Sequence, residues 1–172
     1  MDYQTIYAKD PVHKRLLVTR DFDASLELVW RAWTDSEILD QWWVPEPFKA
    51  KTKTMNFSEG GYWHYAVTGP DGMEMWARMD YIKIVTHNYF TVIDCFCDAE
   101  GIANTEFPTI DLKNTFRKTK SGTTVEVEVS FASEADMAKT IEMGGLEGFT
   151  AAHRNLDKVL AKMTAGEISV IV

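Results

Sequence analysis

Residues 123–131, Thr-Thr-Val-Glu-Val-Glu-Val-Ser-Phe, alternate apolar and polar positions without a fault. A period of two marks a half-buried strand, with Thr123, Val125, Val127, Val129 and Phe131 on one face and Thr124, Glu126, Glu128 and Ser130 toward water. Residues 110–116 alternate likewise, and Lys118-Thr119-Lys120-Ser121-Gly122 carries turn residues, so the two segments predict a hairpin covered on one side only. An earlier strand is expected at 15–22, after which the period changes. Behind Ser25 as N-cap, Leu26, Val29, Trp30 and Trp33 recur at helical spacing, and a second short helix with Ile38, Leu39, Gln41 and Trp42 runs until Pro45 and Pro47. Four more strands are expected at 48–57, 62–68, 73–85 and 88–97, separated by Glu59-Gly60-Gly61, Gly69-Pro70-Asp71-Gly72 and Thr86-His87. From Ser133, the residues Ile141, Gly145, Phe149, Ala152, Leu156, Val159 and Met163 share one stripe and predict a helix of about thirty residues. Gly144, Gly145 and Gly148 weaken its first half by up to about 1 kcal/mol each, which implies a bend or a close backbone approach.

The predicted order is therefore a strand, two short helices, six strands and one long helix, an α+β arrangement. A curved antiparallel sheet with one apolar face, gripping a single helix, leaves a space that side chains fill or a ligand occupies. At 172 residues one domain is expected, with its core at about 14–163 and an apolar tail at 164–172. The net charge of −8 repels nucleic-acid phosphates and anionic lipid headgroups, and no apolar run is long enough to cross a membrane. The polar N-terminus lacks a secretory pattern, so a cytoplasmic protein is expected. Cys95 and Cys97, two apart on a strand, lie too far apart for a disulfide and are expected as free thiols. The four histidines, His13, His64, His87 and His153, are scattered without ligand spacing, so neither a metal site nor a cofactor is implied.

Several segments, in order along the chain, resemble one family. They are Arg20-Asp21-Phe22-Asp23-Ala24, Val29-Trp30-Arg31-Ala32-Trp33-Thr34-Asp35, Gln41-Trp42-Trp43, Gly60-Gly61-Tyr62-Trp63, Gly69-Pro70-Asp71-Gly72 and the stretch from Glu142-Met143-Gly144 to Leu160. Together they are similar to the activator of heat-shock-protein ATPase homologue family, within the START-like or polyketide cyclase (SRPBCC) superfamily. The resemblance implies a helix-grip fold. It names no substrate, because the superfamily includes lipid carriers, hormone receptors, aromatic cyclases and co-chaperone domains on one scaffold. Members usually carry Pro where this chain has Ser25, and Gly near Met79, whose side chain here would fill part of the cavity.

The aromatic set Trp30, Trp33, Trp42, Trp43, Phe48, Trp63, Tyr65, Trp76, Phe90 and Phe149 exceeds what closing a core of this size requires. Trp30 and Trp33 fall on a helix's inward stripe and are expected in the core. Trp43, Trp63, Tyr65, Trp76, Phe90 and Phe149 are candidates to line a cavity for an aromatic or fatty ligand, the alternative being plain packing. His153 shares a helical face with Phe149 and Leu156 and can present its imidazole to that cavity as a ligand hydrogen bond or general base. Alternation sends His64 and Tyr62 to the solvent side if Trp63 and Tyr65 point inward, and Glu74, Arg78, Asp94, Glu106 and Arg117 read as solvated residues or weaker candidates. No nucleophile with an oriented base and no carboxylate pair is legible, so catalytic residues are not assigned. Three functions follow in order: binding of a small hydrophobic or aromatic molecule, a cyclase-, dehydratase- or hydrolase-like enzyme using the same cavity, and a chaperone-activating or other protein-interaction module. A homodimer is compatible with an exposed sheet edge or the tail.

Overall fold

The structure, a computed structural model, describes residues 3–167. Eight strands form one antiparallel sheet: β1 (Ile6–Asp10), β2 (Arg15–Phe22), β3 (Lys49–Met55), β4 (Tyr62–Thr68), β5 (Glu74–Val85), β6 (Tyr89–Cys97), β7 (Ile110–Lys118) and β8 (Thr123–Ser130). Their order is β1-β2-β8-β7-β6-β5-β4-β3, so a six-strand meander is extended at one edge by the N-terminal hairpin. Between β2 and β3 come α1 (Leu26–Thr34) and α2 (Ser36–Trp42), and after β8 come α3 (Glu134–Glu142) and α4 (Gly145–Thr164). The helix-grip expectation holds as an α+β fold with a long C-terminal helix, with one strand more than the seven read from the sequence.

That strand is β1. It is a five-residue edge strand, largely exposed, and its short sequence Ile-Tyr-Ala-Lys-Asp carries no alternation that separates it from a loop. The single thirty-residue helix is corrected to two. Gly144 adopts φ +91°, a left-handed conformation that ends α3, while its carbonyl accepts from Gly148 N–H and starts α4. Gly145 adds the close approach: a Cβ there would lie 2.9 Å from the Thr140 carbonyl oxygen. Both features that the glycines implied are present, at adjacent positions.

Local chemistry explains the starts of the other three helices. The Ser25 hydroxyl accepts from Leu28 N–H at 3.3 Å, the Asp35 carboxylate from Glu37 N–H at 3.0 Å, and the Ser133 hydroxyl from Asp136 N–H at 3.0 Å. On β8, Thr123, Val125, Val127 and Val129 are buried as the alternation requires. The core lies between this face and the helices, where α4 contributes Ala152, Leu156, Val159, Leu160 and Met163. The buried Arg20 guanidinium (2% exposed) makes a two-pronged ion pair with Asp157, tying β2 to α4. The apolar tail expected at 164–172 is described only to Glu167, beyond the end of α4 at Thr164; residues 168–172 lie outside the described residues. Among the described residues no helix is long and apolar enough to cross a membrane.

Candidate functional site

Strand pairing brings one row of side chains, Trp63, Met79, Asp94 and Ile110, across β4, β5, β6 and β7, and further rows, Leu112 with Val129 and Asn114 with Val127, across β7 and β8. Residues opposite one another in an antiparallel ladder share a face, so these rows point at the helices. Side chains do not fill the intervening space: a cavity of about 270 Å³ lies between sheet and helices. Its floor includes Leu16, Met79, Asp94, Ile110, Leu112, Asn114, Val127 and Val129, and its roof includes Thr140, Ile141, Leu146, Phe149, Ala152 and His153. Trp33, Trp42, Trp43 and Pro45 close one side.

The edge strand β1 holds the roof in place. The Tyr7 hydroxyl donates to the Leu146 carbonyl at 2.5 Å and lies 2.6 Å from the Thr150 hydroxyl, while Thr5 Oγ1 lies 2.9 Å from His153 Nδ1. These bonds join the N-terminal segment to the first half of α4, where the glycines leave the helix weakest.

Of the seven residues expected at a ligand cavity, Trp43, Phe149 and His153 line this one. The other four are elsewhere. Trp63 and Tyr65 do point inward, but they stack on each other at 4.0 Å and Trp43 Nε1 donates to the Tyr65 hydroxyl at 3.0 Å, so the pair forms packed wall behind Trp43. Phe90 joins an aromatic cluster with Trp30, Phe57, Tyr81 and Phe116. Trp63 and Phe90 border a void of about 10 Å³ that Met79, Trp33, Trp43 and Asn114 separate from the main cavity. Trp76 lies on the outer face of the sheet, where its Nε1 donates to Glu74 at 2.7 Å and its ring packs against His64. Register explains this: Ala77, Met79 and Tyr81 face inward, leaving Trp76, Arg78 and Asp80 outside.

His64 is on the outer face as alternation demands, yet it is buried. The loop after β6 covers it, with His64 Nε2 donating to the Asp98 carbonyl at 3.0 Å and the Arg78 guanidinium bonding the Gly101 carbonyl beside it. Arg117 pairs with Glu126 at 3.2 Å on the surface, and Glu106 is exposed. Cys95 and Cys97 are free thiols. Among the described residues no group of three or more potential ligands is placed to hold a metal ion.

Four polar side chains interrupt the apolar lining: Thr140, whose hydroxyl donates to the Asp136 carbonyl at 3.0 Å, and Asp94, Asn114 and His153. Asn114 is 4% exposed, and its amide bonds to no protein group among the described residues. His153 is 3% exposed; Nδ1 meets Thr5, and Nε2 has no protein partner among the described residues. Burial, assisted by the nearby Arg20 charge, pushes the His153 imidazole down to about 3, so it is neutral at physiological pH. Asp94 lies deep among protein atoms and keeps surface only partly covered where it lines the cavity. Burial pushes its carboxyl up to about 7, opposed by a hydrogen bond from Cys95 N–H. Sequence reasoning does not single out Asn114 and leaves Asp94 among the weaker candidates, although both interrupt an inward apolar stripe: Ile110, Leu112, Asn114, Phe116 on β7 and Phe90, Val92, Asp94 on β6. A polar residue in such a stripe is the signal that finds them.

Residues 23–161 match the sequence family described as Activator of Hsp90 ATPase homolog 1-like protein. The solution structure of a protein from Arthrobacter aurescens is 29% identical with a TM-score of 0.85, over 91% of this chain and 91% of that one. The crystal structure of protein Ms6760 from Mycobacterium smegmatis is 25% identical with a TM-score of 0.83, over 91% of this chain and 96% of that one. A crystal structure of a Silicibacter pomeroyi protein, at 17% identity and a TM-score of 0.67 over 86% of this chain and 97% of that one, shares the fold. No curated protein matches the sequence. With 139 of its 172 residues covered by that one family (23 through 161), this chain belongs to the Activator of Hsp90 ATPase homolog 1-like family.

Proposed function

We propose that the protein binds a small, largely apolar molecule in the cavity between the sheet and α4. One observation carries this reading: a cavity of about 270 Å³, walled mostly by apolar and aromatic side chains, also presents the side chains of Asp94, Asn114 and His153. The apolar wall supplies affinity through burial, and a few placed polar groups fix orientation. Asp94 and Asn114 are separated by four residues of register on β7, about 13 Å of strand, so polar groups at two ends of an elongated ligand can be met at once. Native mass spectrometry of protein purified gently from its own host tests the proposal. A discrete added mass that leaves on denaturation supports it; the variant Val127→Phe, which fills the cavity, should lose that mass.

A second reading, proton transfer by Asp94, is favoured by the carboxyl being pushed up to about 7, where acid and base forms are both populated near neutral pH. It predicts a substrate whose turnover is lost in Asp94→Asn while its binding survives. The family's description also names an Hsp90 activator, and saturable Hsp90 binding that a cavity-filling variant leaves unchanged would move the function to a protein-interaction surface.

A further inference from the structure

The Asp94 carboxyl is the sharpest chemical feature of the cavity. Its row partners are Met79 on β5 and Ile110 on β7, both apolar, and no Lys or Arg lies within ion-pair distance of it among the described residues. α4 offers His153, which is neutral, and β4 offers Tyr65, whose phenol burial holds protonated. On its own strand, Cys95 and Cys97 lie on the opposite face with their thiols pushed up by burial. Burial, and no charged neighbour, sets the state of Asp94. A buried carboxylate without a cation is costly, and a partner that brings one recovers that cost.

The surroundings suit a cation that is also apolar. Trp33, Trp42, Trp43 and Phe149 line the same cavity, and indole and phenyl faces attract ammonium groups. The chain's net charge of −8 adds a field that draws cations and repels anions.

We infer that the cavity selects an amine, a protonated primary or secondary ammonium on an aromatic or alkyl body, with the ammonium seated on Asp94. This rests on the cavity being a ligand site and names the chemistry of its ligand. Asn114 and His153 then meet a neutral polar group at the ligand's far end, or face its apolar body.

Isothermal titration with a matched set separates this from the broader reading: phenethylamine, phenethyl alcohol, phenylacetate and benzyl methyl ketone, against the wild-type protein and Asp94→Asn. Phenethylamine is expected to bind roughly tenfold or more tighter than phenethyl alcohol, as one charge-assisted hydrogen bond provides. That preference should vanish in Asp94→Asn, where the amine loses far more affinity than the alcohol does. In the wild-type protein, amine affinity should fall as pH drops below about 7, because the ligand must then compete with a proton on Asp94; this arm holds even where Asp94→Asn does not fold. Equal binding of amine and alcohol, or a preference for the ketone that grows at acidic pH, overturns the amine inference and leaves cavity binding standing. Binding of none of the four overturns both.

Discussion

His153 Nδ1 and Thr5 Oγ1 lie 2.9 Å apart, although 148 residues separate them in sequence. The bond ties the imidazole, which also lines the cavity, in place against Phe22, whose ring centroid is 5.5 Å away. Thr5→Val keeps the shape and removes the hydroxyl, leaving a buried ring nitrogen unpaired. It should cost about 1 kcal/mol in urea unfolding and broaden or shift the His153 ring resonances in NMR spectra. An unchanged ring spectrum would mean that Thr5 does not set the orientation of His153.

Asp94 and His153 give opposite pH dependences over one window. The unfolded chain protonates His153 below about 6.5 while the folded protein does not until about 3, so this group makes stability fall as pH falls, by up to about 1.4 kcal/mol per pH unit. The folded protein keeps the Asp94 proton to about 7 while the unfolded chain loses it above about 4, so this group makes stability fall as pH rises. Between about pH 4 and 6.5 the two contributions oppose each other. Relative to the wild-type protein, Asp94→Asn should gain stability as pH rises through that window, and His153→Gln should gain it as pH falls. Urea unfolding at a series of pH values reads both slopes, and two profiles parallel to the wild-type one would contradict the assignment.

The three glycines at the start of the C-terminal helix should respond in different ways. Gly144→Ala forces a Cβ into the left-handed region and should cost about 1 kcal/mol or more. Gly145→Ala places a Cβ 2.9 Å from the Thr140 carbonyl oxygen, so backbone must shift and the loss should be at least as large. At Gly148 a Cβ meets nothing within 4 Å, and Ala there should stabilise by up to about 1 kcal/mol through helix propensity. Thermal unfolding of the three variants checks the order.

Met79 stands between the main cavity and the small void bordered by Trp63 and Phe90. Met79→Ala should join the two at a cost of about 2–4 kcal/mol and admit a naphthyl analogue that the wild-type protein excludes. A variant that loses stability without accepting the larger ring would show that the wall had collapsed into the space.

The central sheet was legible because its strands are long, one-sided and strictly alternating, as residues 123–131 show. The edge strand β1 was not, since five mostly exposed residues carry little pattern, and with it went the Tyr7 and Thr5 bonds to α4. For the site, helix periodicity located Phe149 and His153 on the cavity side of α4. Counting aromatics misled at Trp76, where the polar neighbours Arg78 and Asp80 on the same face already marked that side as outward. Trp63 and Tyr65 face inward as expected, but sequence cannot show that two inward rings stack on each other instead of bordering open space.

The most direct test of ligand binding in the cavity is a methyl-resolved NMR titration with the neutral probe phenethyl alcohol. Saturable shifts are expected at Leu112, Val127, Val129, Ile141 and Leu146, which line the cavity, with Ile82 and Ile93 on the outer face unmoved. Shifts that do not saturate, or that gather at Ile82 and Ile93 instead, would contradict the account.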